Sequence, residues 1–309
     1  MKLQHLLVII DPTRADQPAL TRARWIAQRC GARLELLACA YNAALDNALL
    51  LERGDLDAAQ HNLLDERLAR LQQLAAPLRE AGIDVHCQAR WGKSLHHQVV
   101  LHCEQTRPDL VLKSAHHHNL LKRLFLTNHD WQLIRHCPQP LWLVQHGEWS
   151  GKNLCAAVDP LHTSDAAAAL DHRLIMVARE LGQRLKLDDH YLHAYMALPH
   201  TLAFNAELLA DYDNYVLRTE AHHREAFDAL LAHYPQIDRQ RTLLGQGFAE
   251  EVIPAYVKDH AIDLLLMGAV ARGQLDNALI GQTAERVFEE VECDLLVIRP
   301  DLKESPERE

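Results

Sequence analysis

Short runs of consecutive apolar residues alternate along this chain with longer segments in which apolar residues recur every three or four positions. The first run, residues 6–10, precedes a segment of the second kind, residues 19–30, which is predicted to be a helix ending at Gly31. Consecutive apolar residues are typical of parallel strands buried on both faces, and the longer segments are typical of helices that cover such a sheet. The alternation therefore predicts an α/β fold built on a doubly wound parallel sheet.

The first half of the chain contains five such runs and four helical segments. Pro77 is expected to kink or shorten the second helix, because proline lacks an amide donor and its ring clashes with the preceding turn. The predicted strands are 6–10, 34–40, 85–89, 110–112 and 141–144, and the predicted helices are 19–30, 56–80, 95–104 and 127–136.

The second half repeats this order of elements. Asp11 and Asp159 occupy matching places after the first apolar run of each half, and Asp109 and Asp263 match before the fourth. Gly182 is expected to end the first helix of the second half. The predicted strands are 154–159, 190–195, 241–244, 263–267 and 295–298, and the predicted helices are 166–181, 213–233, 249–258 and 283–290.

The repeat predicts two tandem domains of five strands each, residues 1–147 and 151–301, related by a pseudo-two-fold axis. Polar and glycine residues at 146–151 interrupt the periodicity between them, and the charged tail at 302–309 is predicted to be disordered. Exposed strand edges favour pairing. We therefore expect either a monomer with an internal pseudo-dimer, in which the last strands of the two domains meet, or a homodimer.

Composition narrows the classes of function. The net charge of −10 excludes a general nucleic-acid binder, because phosphate backbones attract basic surfaces. The N-terminal segment lacks the layout of a signal peptide, and no apolar run approaches the roughly 18–20 residues that span a bilayer, so membrane insertion is not expected. Seven cysteines, an odd number without a C-x-x-C pair, favour a reducing cytoplasm.

Several segments, in order along both halves, resemble the universal stress protein family in its tandem form. They are 8–12, 16–20, 109–113 and 137–140 in the first half, and 250–254, 283–287 and 293–298 in the second. The resemblance implies an adenine nucleotide alpha hydrolase-like fold in each half. It also implies a stress-response binding or signalling protein rather than an enzyme.

The resemblance further implies a nucleotide motif after the fourth strand. Nucleotide-binding members of the family carry G-x2-G-x9-G-[ST], in which glycines let the backbone approach phosphates and the following helix N-terminus holds the negative charge. In the second half Gly268 and Gly281 match the first and third glycines, whereas Ala271 replaces the second and Gln282 stands in place of Ser or Thr. Thr283, one residue later, is a candidate hydroxyl donor and N-cap.

Other residues of the second half acquire candidate roles from the same resemblance. Asp159 corresponds to the aspartate that bonds the adenine or ribose side, Ala194 and Met267 would wall the base pocket, and Arg272 would pair with a phosphate. Each has a plainer alternative: a strand-end aspartate that caps a turn, core packing, or a solvated loop arginine. The two motif glycines have one too, as turn residues with positive φ.

The first half departs further from the motif and is predicted to have lost the phosphate site. Lys113 and His116 stand where the glycine pair is expected, and Thr127 roughly replaces the later glycine, with a shift of one residue in spacing. Asp11 completes this degenerate pocket. An adenine nucleotide such as ATP is therefore the candidate ligand of the second half alone, and the sequence demands no other cofactor.

Neither metal binding nor catalysis finds support in the motifs. Adjacent histidines at 96–97, 116–118 and 222–223 point in different directions on a regular element, so they are interpreted as solvated residues and no metal site is predicted. Neither G-x-S-x-G nor G-x-x-x-x-G-K-[ST] occurs.

Two further hypotheses stay open beside the nucleotide-binding protein. One is a scaffold for an apolar or phosphorylated metabolite, since Lys113 and His116 close the phosphate site next to an apolar stretch at 120–126. The other is a slow ATPase, for which the sequence offers no catalytic base.

Overall fold

The computed structural model describes residues 1–46, 53–115, 126–145, 149–161, 165–197, 211–268 and 281–300. The chain divides into two compact units, residues 1–148 and 149–309. Within the ranges described, none of the helices is long and apolar enough to cross a membrane.

The first unit is a parallel sheet with its flanking helices. Its strands are β1 (His5–Ile9), β2 (Arg33–Ala40), β3 (Val85–Trp91), β4 (Leu110–Ser114) and β5 (Leu141–Val144), and its helices are α1 (Pro18–Cys30), α2 (Ala43–Asp46), α3 (Arg53–Glu80), α4 (Leu95–Thr106) and α5 (Asn128–His136). The strand order is β3-β2-β1-β4-β5. Every residue of β1, β4 and β5 is buried, as expected of strands covered on both faces.

The second unit repeats the arrangement. Its strands are β6 (Asn153–Ala157), β7 (Asp188–Tyr195), β8 (Thr242–Gln246), β9 (Leu264–Gly268) and β10 (Asp294–Ile298), and its helices are α6 (Asp165–Leu185), α7 (Tyr212–Ala232), α8 (Ala249–Asp259) and α9 (Gln282–Glu290), with a 3-10 helix at Arg239–Arg241. The strand order is β10-β9-β6-β7-β8, again parallel. The predicted fold class, two tandem doubly wound five-stranded sheets, is confirmed.

In both units the chain reverses direction across the sheet beside its first strand. β1 lies between β2 and β4, and β6 lies between β7 and β9. In such sheets ligands bind at the carboxyl ends of the strands, where this reversal opens a crevice. The fold thus places the candidate site of each unit at the carboxyl edge of these central strands.

Pro77 does not shorten α3, which ends at Glu80 as predicted. The predicted end of α6 at Gly182 is wrong, and burial explains the difference. α6 continues through Gly182 to Leu185, which is 1 % exposed. Burying a leucine contributes about 1.5–3 kcal/mol, more than the roughly 1 kcal/mol that glycine costs in a helix. Lys186, with φ of 59°, takes the left-handed position that Gly182 was expected to supply.

The repeated aspartates at the amino edges of the two sheets have a structural role. Asp109 Oδ2 accepts the amides of Gln4 at 2.8 Å and His5 at 2.9 Å. In the second unit Asp263 Oδ2 accepts the amides of Lys152 at 2.8 Å and Asn153 at 3.0 Å. Burial raises the pKa of Asp263, but the hydrogen bonds from the backbone outweigh it and hold the pKa below its usual value. Each aspartate therefore ties the start of one strand to the start of its neighbour.

Replacing Asp263 by asparagine is expected to lower the free energy of unfolding by about 2 kcal/mol, since the charge-assisted bonds become neutral. Urea denaturation at pH 7 measures the change. Because the folded-state pKa is lowered, the stabilisation is present above the pKa of the unfolded chain and disappears as the pH falls through the folded value. The matched control is Asp259→Asn at an exposed position, for which a change within about 0.5 kcal/mol is expected. Equal effects of the two variants would contradict this role.

Candidate functional site

The carboxyl edge of the second sheet brings several predicted residues together. Asp159 lies two positions after β6, Ala194 is the penultimate residue of β7, and Met267 and Gly268 end β9. Gly281, Gln282 and Thr283 lie at the start of α9. Ala271 and Arg272 fall outside the described residues.

Asp159 is held by a neighbour that the sequence did not suggest. Its backbone amide donates to Asp171 Oδ1 at 3.2 Å, and Asp171 is 3 % exposed on α6. The Asp159 side chain is itself half-buried. This bond ties the backbone of the turn after β6 to the following helix and holds Asp159 at the edge of the sheet.

Asp11, the counterpart of Asp159 in the first unit, is a strand-end aspartate that caps a turn. Asp11 Oδ1 accepts both the amide of Thr13 at 2.9 Å and its hydroxyl at 2.6 Å. Gln17 Nε2 donates to the Asp11 carbonyl at 2.6 Å. The first-unit aspartate therefore caps the turn that leads into α1.

Gly268 is closely packed and Gly281 is the N-cap of a helix; neither has a positive φ, so the alternative of turn glycines with positive φ is wrong. Gly268 is the last residue of β9, and a Cβ added there would lie 2.5 Å from Leu170 Cδ2. Gly281 has φ of −65° and ψ of 140°, an extended conformation open to any residue. Met267 is 7 % exposed and Ala194 is half-buried, so both combine core packing with a place at the carboxyl edge.

α9 begins at a glycine, which has no side chain to cap the helix. Gly281 is the N-cap and, within the part of the chain that the structure describes, no side chain caps the helix. The prediction that Thr283 is the N-cap is wrong, since the helix begins one residue before it. The first amides of an uncapped helix point outward at the positive end of the helix dipole and attract anions.

The equivalent helix of the first unit is closed by its own side chains. Thr127 is the N-cap of α5, and Asp130 Oδ2 accepts its amide at 2.8 Å and its hydroxyl at 2.7 Å. Asp130 is fully buried, and its Oδ1 lies 2.7 Å from the Nζ of Lys113, whose side chain is 8 % exposed. A carboxylate thus occupies the helix N-terminus, and a buried ammonium neutralises that carboxylate.

Sequence reasoning named Lys113 and Thr127 but missed Asp130. The T-x-x-D spacing of a capping box was the available signal. His116 lies outside the described residues. At the start of α1, the amide of Ala19 also has a hydrogen-bond partner within the unit, because Ser114 Oγ accepts it at 3.1 Å.

A histidine pair lies near Asp159 and was missed entirely. His193 on β7 is 1 % exposed; its Nδ1 lies 3.1 Å from the Val158 carbonyl and its Nε2 lies 2.8 Å from His223 Nδ1. The ring of Tyr195 lies 4.9 Å from that of His223. Burial, followed by His193 and His222, lowers the pKa of His223, while Asp159 acts in the opposite direction. The prediction of a solvated run holds for exposed His222 and is wrong for His223.

The first unit contains a different polar cluster, centred on Glu35. Its carboxylate lies 2.8 Å from His5 Nε2 and 2.9 Å from His102 Nε2. The other nitrogen of each ring faces a guanidinium at 3.2 Å, Arg33 beside His5 and Arg90 beside His102. Since arginine only donates, each imidazole accepts at Nδ1 and donates from Nε2. Burial raises the pKa of Glu35, but hydrogen bonds from His102 and His5 outweigh it and lower the pKa to about 2.

Metal ligation is not indicated at these clusters. Over the described ranges, no group of three or more histidine, cysteine or acidic side chains is arranged to hold a metal ion. In the His193–His223 pair the two nitrogens face each other at hydrogen-bond distance, which leaves no room for an ion between them.

Comparison with known proteins assigns the class. The sequence model of the Universal stress protein family matches residues 2–145 and 151–299. The chain therefore belongs to the universal stress protein family and carries two copies of its domain in tandem, as predicted.

Among individual proteins, the chain is 31% identical to Universal stress protein E of Salmonella typhi over 98% of its own length and 96% of that protein. A crystal structure of a putative universal stress protein from Pseudomonas aeruginosa has a TM-score of 0.73 at 28% identity, covering 97% of this chain and 94% of the other. A universal stress protein from Archaeoglobus fulgidus has a TM-score of 0.67 at 13% identity, with 97% and 99% covered, and shows the shared fold.

Proposed function

We propose that this chain is a non-catalytic stress-response protein whose second unit binds an adenine nucleotide at the carboxyl edge of its sheet. The difference between the two helix N-termini carries the proposal. α9 begins at an uncapped glycine among the described residues, whereas α5 is closed by Thr127, Asp130 and Lys113. A phosphate that meets open amides gains hydrogen bonds and dipole stabilisation, whereas the start of α5 is already occupied by its own capping side chains.

Other residues at the carboxyl edge of the sheet suit the ribose and the base of the nucleotide. Asp159 stands at the same edge with its turn fixed by Asp171, and Met267 and Gly268 end the neighbouring strand β9. A carboxylate is a suitable acceptor for ribose hydroxyls, and the buried strand ends provide an apolar wall. None of the seven cysteines, all of which lie within the described residues, forms a disulfide, and four of them are buried, which favours a reducing compartment such as the cytoplasm.

Replacing Gly281 by aspartate is expected to weaken ATP binding at least about tenfold relative to Gly281→Asn, because only the former puts a negative charge at the start of α9. Both residues are good N-caps and the φ of −65° suits them, so both variants are expected to fold. Isothermal titration calorimetry with ATP and AMP measures the affinities.

The comparison of aspartate with asparagine separates charge from size. Equal affinities of the two variants, or no heat from wild-type protein with millimolar ATP, would contradict the proposed site. Phosphate release assayed on the same proteins tests the absence of catalysis: ATP hydrolysis by the wild type that disappears in Gly281→Asp would establish a slow ATPase instead.

A further inference from the structure

The hydrogen-bond chain through His193 and His223 has a defined direction. The Val158 carbonyl can only accept, so His193 Nδ1 carries the proton and, in the neutral ring, its Nε2 accepts. The facing Nδ1 of His223 must then donate across the 2.8 Å contact. The neutral His223 ring therefore presents an unprotonated Nε2 at its far end.

The far nitrogen of the His223 ring has no hydrogen-bond partner among the described residues, and the side chain is half-buried at the carboxyl end of β7. Asp159 is near enough to act on the pKa of His223, and Val158, which anchors the chain, is its immediate neighbour. The lowered pKa of His223 keeps the ring neutral at pH 7, so Nε2 is an acceptor there.

We propose that His223 Nε2 accepts a hydrogen bond from the exocyclic amine of the purine base and that His193 is a positioning residue that fixes the tautomer required. This inference rests on the proposed function and names the group that would distinguish adenine from other purines at the same site. Two acceptors of different charge stand at this edge. The carboxylate of Asp159 suits ribose hydroxyls, while the neutral imidazole, flanked by the Tyr195 ring, suits the edge of a flat base.

The test compares ATP with inosine triphosphate, which carries a carbonyl oxygen in place of the amine. A carbonyl facing an unprotonated nitrogen leaves two acceptors unpaired, so wild-type protein is expected to prefer ATP by about tenfold. His223→Leu is expected to bring the two affinities together. The matched control is His222→Leu at the exposed neighbouring position, which is expected to keep the preference.

The variant His193→Leu tests whether His193 sets the tautomer of His223, an effect that a purely structural role would not produce. With the acceptor for His223 Nδ1 removed, the His223 proton is free to move to Nε2, which then donates. Nitrogen-15 shifts of the His223 ring are expected to show this change of tautomer, and the preference for ATP over inosine triphosphate is expected to fall or reverse.

Other outcomes would contradict either the inference about His223 alone or the proposed function as well. Wild-type protein that binds both nucleotides equally, or His223→Leu that keeps the preference, overturns this inference and leaves the proposed function standing. A loss of affinity in His223→Leu that is equal for ATP and inosine triphosphate, but absent for 2′-deoxy-ATP, would place the imidazole on the ribose and overturn the amine assignment. Wild-type protein that binds neither nucleotide overturns both proposals.

Discussion

Replacing Lys113 by methionine is expected to lower the free energy of unfolding by about 3–5 kcal/mol, because the fully buried Asp130 carboxylate loses its counter-ion. Methionine matches the length and apolar stem of lysine, so the loss is expected to come from the missing charge rather than from a cavity. Chemical denaturation of the full chain, followed by circular dichroism, measures the effect.

A double-mutant cycle separates this pair from general damage to the core. Asp130→Asn alone leaves Lys113 buried without its partner and is also expected to destabilise. In Lys113→Met/Asp130→Asn no charge remains, and the side-chain amide introduced at position 130 can still accept from Thr127, so at least half of the lost stability is expected to return. Simple additivity of the two single changes would show that the charges are not coupled.

Replacing Glu35 by glutamine is expected to cost about 3 kcal/mol at pH 7, since two imidazole donors then face a neutral amide. The sign of the pH dependence follows from the lowered pKa. Glu35 titrates at about 2 in the folded chain against a usual value of 4.5, so its stabilisation is fully present above pH 4.5 and is lost as the pH falls toward 2. The difference between wild type and variant is therefore expected to shrink in acid.

Unfolding curves collected between pH 7 and pH 3 measure that difference. Glu66→Gln is the matched control, because the Glu66 side chain is 67% exposed and forms a surface ion pair with its neighbour Arg67. If the difference in the free energy of unfolding between Glu35→Gln and wild type stayed constant down to pH 3, the assignment of the lowered pKa to Glu35 would be contradicted.

Most of the fold was predictable because local patterns determine it. The run at Leu141–Val144 is a strand with the predicted bounds, and Gly31 ends α1 with φ of 67° as expected. Gly182 was misinterpreted because its local preference competes with burial, and burial depends on packing that no local pattern records.

The candidate site was predictable only where one short segment carries the signal. The spacing of Gly268 and Gly281 identified the helix start that no described side chain caps. The histidine and glutamate clusters instead join residues that are distant in the sequence. His193 meets His223 from 30 positions away and Glu35 meets His102 from 67, so sequence spacing offers no guide to either.

The closure of α5 by Thr127 and Asp130 has a consequence for stoichiometry. A duplicated receptor ordinarily has two equivalent sites and allows homotropic cooperativity. With one copy sealed by its own capping box, the proposed site leaves this chain with a single occupancy per polypeptide. For a monomer, saturation then follows a simple hyperbola, and the response to ligand concentration is graded rather than sigmoidal.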